Sequence, residues 1–396
     1  MELRRWQKHS QWARTSRPTC SLESRRGAKK VPGQGSGLYD GSIKSQVGPL
    51  KFSWVEDLCI TYNCRWRPHY EDNEWCQTTL WDALEGLPNL RTLDLELRLC
   101  KVPLPLNSLA SIGVLQVIVL KDIDSTPHSA EILDAFAWMV ARSTHLTSID
   151  LLPVKPYSKP VDPLYSLHQV FKYCSTSASS PTTTENQPLR IHHLGLNACL
   201  VRLDRKTLPH LRHLKSLSLR SIIDPYMDPY DNDSFNLNSG DEQKKFGSSL
   251  DEFWRTLKRE GVWLEEIVHE DVGVGFLDYL EAYPTRSNGG TVLKSLNLTP
   301  DPWYRGLSYS NPMARRFFSE QGALHKHANN IEDLRIEPVY EGDWCFDTYN
   351  VDAVSACCQL KVLGMSVLSE HLEEDGGSGK GIGIVRATFN FLQGPS

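Results

Sequence analysis

No part of the 396-residue chain approaches the roughly 18 uninterrupted apolar residues that a membrane-spanning helix needs. The first thirty residues, MELRRWQKHSQWARTSRPTCSLESRRGAKK, have no apolar stretch of the secretory-signal kind, although an Arg- and Ser-rich, acid-poor start has some likeness to an organelle transit peptide. Ten cysteines are present, at irregular positions (20, 59, 64, 76, 100, 174, 199, 345, 357 and 358), and no Cys-x-x-Cys pair occurs. That spacing excludes a disulfide framework and a zinc module. The thiols read as buried or half-buried in a reducing compartment, cytoplasmic or nuclear, where the sequons at Asn232 and Asn297 carry no meaning.

Catalytic signatures are also missing. Residues 376–383 (GGSGKGIG) fail as a phosphate-binding loop, because the first Gly of that motif would have to stand at Glu374 and Lys380 is followed by Gly381. They read as a linker. His192-His193, His210-x-x-His213 and His325-x-His327 have no third ligand at suitable spacing and read as structural. Cys357-Cys358 reads as packing, since adjacent cysteines bridge only through a strained ring. Acidic runs such as Glu373-Glu374-Asp375 read as solvated surface. No catalytic residue, cofactor or metal site is assigned, and the chain reads as a non-enzyme.

What is present is an uneven charge distribution. The formal charge is −5, from 43 Lys+Arg against 48 Asp+Glu. Residues 1–48 hold ten basic residues against Glu2, Glu23 and Asp40, a net +7, which leaves −12 for the rest. A basic arm, expected to be disordered, therefore precedes an acidic body, and the body is not of nucleic-acid-binding character.

The body carries an internal repeat. A phrase L-x-x-L-x-L, with Val or Ile allowed for Leu, occurs at 90–95, 115–120, 146–151, 214–219, 293–298, 331–336 and 360–365. Weaker copies centre on Leu58, Leu194 and Ile267, the last with His269 in the final apolar place. Each phrase ends in apolar/polar alternation, as a strand with one buried face must. Between phrases lie segments with apolar residues three and four apart: 74–87, 129–142, 248–259, 276–283 and 311–327. Strand and helix in alternation imply parallel strands. A closed α/β barrel, the scaffold of a hydrolase, would bury both strand faces, yet the alternate positions include Asp94, Glu96, Asp150, Arg220, Asn297, Asp333, Arg335 and Glu337. The spacing therefore predicts an irregular leucine-rich-repeat solenoid, a horseshoe with a parallel concave sheet and helices on its convex side. Loop insertions are expected near 153–188 and 222–247, where Pro, Ser, Thr, Asp and Asn accumulate, and a Gly-rich tail over 370–396.

The phrases LPNLRTLDLEL, HLTSIDL, LPHLRHLKSLSLRSI, NNIEDLRIEPV and CCQLKVLGMSV resemble the repeat region of the F-box/LRR-type proteins of filamentous fungi, over residues 49–369. The resemblance implies a leucine-rich-repeat interaction module serving as a substrate-recognition subunit of an SCF ubiquitin ligase. Its partners would be a target protein and, through an F-box, Skp1. Residues 1–48 hold too few aliphatic anchors for an F-box, so Skp1 is expected only if a longer form supplies one, and the sequence reads as incomplete or mis-joined at both ends. The alternative is a repeat scaffold with no ubiquitin link.

The strand positions that flank the buried pair would line the concave face. The candidate partner-binding residues are Asp94, Glu96, Asp150, Arg220, Glu266, Glu270, Asp333, Arg335 and Glu337. Across all ten phrases eight acids face three bases there, which favours a basic protein segment and disfavours nucleic acid; no membrane contact is expected.

Overall fold

A computed structural model of the chain describes residues 19–23, 56–63, 87, 89–98, 115–121, 129–153, 165–174, 187–222, 249–284, 292–300 and 307–368. The chain is α/β and divides into two compact units, Met1–Ile191 and His192–Ser396.

The first unit contains β1 (Thr19–Glu23), β2 (Asp57–Asn63), β3 (Thr92–Arg98), β4 (Val117–Lys121) and β5 (Ser148–Leu152). β2 to β5 are parallel and adjacent in sequence order, with Leu58, Leu93, Ile118 and Ile149 in one register row. All four are buried. β1 is the part of arm 1–48 that falls among the described residues, and it pairs antiparallel with β2. Helix α1 (Ser129–Arg142) returns the chain from β4 to β5, burying Ile132, Leu133, Phe136, Met139 and Val140, the 3.6-period stripe of its sequence.

Part of the segment expected to be a loop insertion near 153–188 is instead packed. Ser166 and Gln169 form a reciprocal cap on α2 (Leu167–Val170), and Tyr165, Leu167, Val170 and Phe171 are buried. These apolar residues sit between two Pro/Ser/Thr-rich stretches that obscure them in the sequence. Residues 154–164, 175–186 and 223–248 lie outside the described residues, as do helix candidate 74–86 and the tail from 369.

The second unit contains β6 (His193–Asn197), β7 (Ser216–Arg220), β8 (Glu266–His269), β9 (Ser295–Leu298), β10 (Asp333–Ile336) and β11 (Val362–Met365), all parallel and in sequence order. Its helices are α3 (Leu208–Leu211), α4 (Ser249–Arg259), α5 (Val274–Glu281), α6 (Leu307–Phe318), α7 (Ala323–His327) and α8 (Val351–Ser355). Two apolar rows run across the six strands: Leu194, Leu217, Ile267, Leu296, Leu334 and Leu363, then Leu196, Leu219, His269, Leu298, Ile336 and Met365. Every member is buried. His269 fills a leucine's place by ring packing, 5.2 Å from Trp254 of α4 and 4.8 Å from Phe276 of α5. Those contacts put α4 and α5 on the buried side of β8, so the alternate strand positions lie on the face opposite these helices. Among the described residues β1 has only β2, and β11 only β10, as strand neighbour, and neither unit's sheet closes on itself.

The single helix expected over 311–327 is two. At the break, a side chain at Gly322 would stand 2.1 Å from the Arg316 carbonyl oxygen, so only a glycine permits this approach of α7 to the end of α6.

Candidate functional site

Each unit presents its own strip of strand positions. In the first, the register sets Cys59, Asp94, Val119 and Asp150 in one row and Thr61, Glu96, Lys121 and Leu152 in the next. Asp94 is the most enclosed of the candidate acids, only 7% exposed. Its Oδ2 accepts from Lys121 Nζ at 2.7 Å, while Oδ1 is buried and has no hydrogen-bond partner among the described residues. Glu96 faces Lys121 directly in register, and Asp150 is half-buried two strands from Asp94.

In the second unit, Arg220 is exposed opposite Asn197, and Glu266 is exposed between Ser216 and Ser295. Glu270, just past β8, accepts the Ser221 backbone N–H at 2.5 Å and its hydroxyl at 3.2 Å. Ser221 has a left-handed φ of 46°, a conformation this contact holds in place. Arg335 and Asp333, two residues apart on β10, form a two-point ion pair (3.0 and 3.2 Å), and the Arg335 stem lies over Gly364 of β11. Glu337 is half-buried, its backbone N–H bonded to the Leu298 carbonyl.

The structure thus brings Asp94, Glu96 and Asp150 together in the first unit and the other six candidates in the second. Two of the three cations of the strip, Lys121 and Arg335, are held by strip acids. The acids still outnumber the bases in each unit, four to one and four to two. A surface of this kind attracts cationic side chains through its summed field and contributes more to association rate and selectivity than to raw affinity.

One set of charged residues escaped the sequence reading. From β7 to β11 the second residue of each phrase is Lys215, Glu265, Lys294, Glu332 and Lys361, an alternation of sign, while β6 has His192 there. Lys294 meets Glu265 at 2.7 Å, Lys361 meets Glu332 at 2.6 Å, and Lys215 reaches Glu265 at 3.6 Å. The same positions form a backbone ladder: the Lys215 N–H donates to the His192 carbonyl, and each later N–H to the carbonyl of the member before it, at 2.7 or 2.8 Å. The hydrogen bond from Lys294 lowers the Glu265 pKa, and that from Lys361 lowers the Glu332 pKa. Reading down the aligned column, rather than along the chain, exposes the signal.

The histidine pairs are dispersed by burial. His210 is buried while His213 is exposed, and His327 is buried while His325 is exposed. Burial lowers the pKa of both His210 and His327 to about 4; the His327 ring also contacts the Leu280 carbonyl oxygen at 2.9 Å. Cys357 is buried, its pKa raised to about 11 by desolvation, with its thiol directed at the Ala353 carbonyl, while Cys358 is exposed. Among the described residues no group of three or more His, Cys, Asp or Glu is placed to hold a metal ion, and no helix is long and apolar enough to cross a membrane. The Gly-rich stretch 376–383 and the acids 373–375 lie outside the described residues. No protein-family model and no curated protein matches the chain.

Proposed function

We propose that the chain is a non-enzymatic protein-interaction module of leucine-rich-repeat type, a horseshoe whose strand face binds a basic segment of a partner protein. One observation carries this reading. In each unit the in-register strands bury two apolar rows and leave the alternate rows, rich in carboxylates, on the other face. Parallel strands in sequence order, joined in the second unit by helices on the buried side of β8, support the solenoid over a barrel. Titration of the full chain with a fluorescent octa-arginine peptide tests the binding. Saturable binding is expected, weakened at least tenfold by the combined variant Glu266→Gln/Glu270→Gln/Asp333→Asn/Glu337→Gln. Binding that this variant leaves unchanged would remove the second unit's strip from the account.

Within that reading, the phrase resemblance supports a finer role as substrate-recognition subunit of an SCF ubiquitin ligase, acting in the cytoplasm or nucleus. Reconstitution with purified Skp1 decides it. A stable complex supports the adaptor role, and none leaves the repeat-scaffold alternative in its place.

A further inference from the structure

The strand face of the second unit does not end on a charge. β10 is regular as far as Ile336, and its pairing with β9 runs on: the Glu337 N–H donates to the Leu298 carbonyl at 2.9 Å and the Val339 N–H to the Pro300 carbonyl at 3.1 Å. Burial keeps the same period, with Leu334, Ile336 and Pro338 buried, Asp333 and Glu337 half-buried, and Arg335 and Val339 exposed. Side chains two residues apart on an extended chain share a face, so Val339 stands in line with the three charged residues, about 7 Å beyond Glu337. The bonds from the Thr299 N–H to the His269 carbonyl and from Glu337 to Leu298 set Glu270, Thr299 and Glu337 abreast. The face therefore passes from two carboxylates, two strand spacings or roughly 10 Å apart, to an apolar side chain.

Val339 is 52% exposed and the next residue, Tyr340, 45%. Two other large apolar side chains among the described residues are comparably exposed, Trp138 and Tyr349, and each has a ring partner. Trp138 stacks on Tyr173 at 4.2 Å, and Tyr349 meets Phe318 edge-on at 6.0 Å. Tyr340 makes no ring contact among the described residues. A single exposed apolar residue is ordinary on a protein surface, whereas two in succession at the end of a charged strip form a patch that gains by being covered.

We propose that the partner's basic segment also carries a large apolar side chain, which packs on Val339 and Tyr340 while a neighbouring cation lies at Glu337 and Glu270. This deepens the binding reading above and rests on it. Residues i and i+2 of an extended segment stand about 7 Å apart on one side, which matches the step from Glu337 to Val339. The recognised pattern is then a cation, any residue, and a large apolar residue. The field of the strip gathers cationic segments of any sequence, and the apolar contact selects among them by what it removes from water.

Two fluorescent peptides of equal charge test the selection on the full chain: eight arginines followed by Ala-Trp, and eight arginines followed by Ala-Ala. The Ala-Trp peptide is expected to bind about tenfold more tightly, as an aromatic anchor does when it leaves water. Val339→Ser/Tyr340→Ser should bring it down to the affinity of the Ala-Ala peptide. Trp138→Ser, which removes an exposed aromatic from the first unit, should keep the preference. Equal affinities on the unaltered chain overturn the proposal, as does a preference that survives Val339→Ser/Tyr340→Ser or is lost equally with Trp138→Ser. Saturable Ala-Ala binding that Glu266→Gln/Glu270→Gln/Asp333→Asn/Glu337→Gln weakens would in those cases leave the binding reading standing, whereas no binding of either peptide removes both. Sedimentation without peptide covers the other occupant. The unaltered chain and Val339→Ser/Tyr340→Ser should sediment alike, and a dimer that this variant dissociates would give the patch to a second copy of the chain and overturn the proposal.

Discussion

The two units solve the same problem, keeping parallel strands in register, by different means. In the first, β2 and β3 share seven register pairs, and the residues leading into the strands are Glu56, Arg91, Gln116 and Thr147, charged only at the first two places. In the second, β8 to β11 share four pairs per neighbour, and the lead-in residues alternate Lys and Glu from β7 to β11. A one-residue slip would part the bonded Lys–Glu pairs there and turn the apolar rows outward. Long strands carry register in their own hydrogen bonds, while short ones borrow it from side chains.

The second unit is also the one stiffened by buried polar contacts. Tyr279 and Tyr283 donate to the Val262 and Leu264 carbonyls (3.0 and 2.9 Å) and both accept the Leu264 N–H at 3.1 Å, fixing the turn into β8. Asp251 of α4 accepts the Gly275 N–H at 2.8 Å. The end of α5 is enclosed by two cations and a buried imidazole: Arg316 grips Asp278 and Glu281, Lys326 reaches the Glu281 carbonyl and His327 the Leu280 carbonyl. Cations at a helix C-terminus complement its dipole.

Acid should therefore break the second unit first. His210 and His327 both belong to it, and burial places their folded pKa near 4 against an ordinary 6.5. A depressed folded pKa means that the unfolded chain binds protons first as pH falls. Their contribution is complete above pH 6.5 and is lost on the way down to about 4, on the order of 3 kcal/mol for each. Denaturant unfolding followed by tryptophan fluorescence across that range should show the loss, and His327→Gln should reduce its steepness. An unchanged slope would mean that His327 titrates normally.

Next in size is the contact of α4 with α5. A methyl group at Gly275 would sit 2.7 Å from the Asp251 Cα and 2.8 Å from its carbonyl oxygen. Gly275→Ala should cost about 3 kcal/mol by forcing the helices apart. Hydrogen exchange should show the loss in α4, α5 and β8, with α1 unaffected; a uniform loss would contradict the separate character of the units.

The smallest effect sharpens the register comparison. Glu265→Lys places three lysines in a row and should destabilise the second unit by about 1 kcal/mol, less at high salt, since these groups are partly exposed. Gln116→Lys, the corresponding position of the first unit, should change stability by a few tenths of that at most. Equal losses in a thermal melt would show that the alternation carries no register information.

All ten phrases are strands in the structure, because a buried row must recur at fixed places and Leu, Ile or Val recurs there. Even His269 was legible as a core position, although its aromatic neighbours were not. Helices 129–142 and 248–259 were visible in their apolar period. What escaped the sequence depends on residues meeting across long separations. The break at Gly322 follows from its approach to Arg316, and the packed segment around Phe171 was hidden by the polar stretches on both sides. The candidate face was legible as a set of positions but not as an electrostatic surface. Nothing along the chain shows that Lys121 is drawn to Asp94 or that Arg335 turns to Asp333, and these pairings leave the acids in excess.

Carboxyl footprinting tests the binding face most directly. The full chain is labelled with carbodiimide and glycine ethyl ester, with and without octa-arginine. Bound peptide should slow labelling of Glu266, Glu270, Asp333 and Glu337 severalfold. Labelling of Glu131, Glu252 and Glu260, on or beside the helices, should be unchanged. Protection confined to the helix-side carboxylates, or none at saturating peptide, would contradict the strand face as the binding surface.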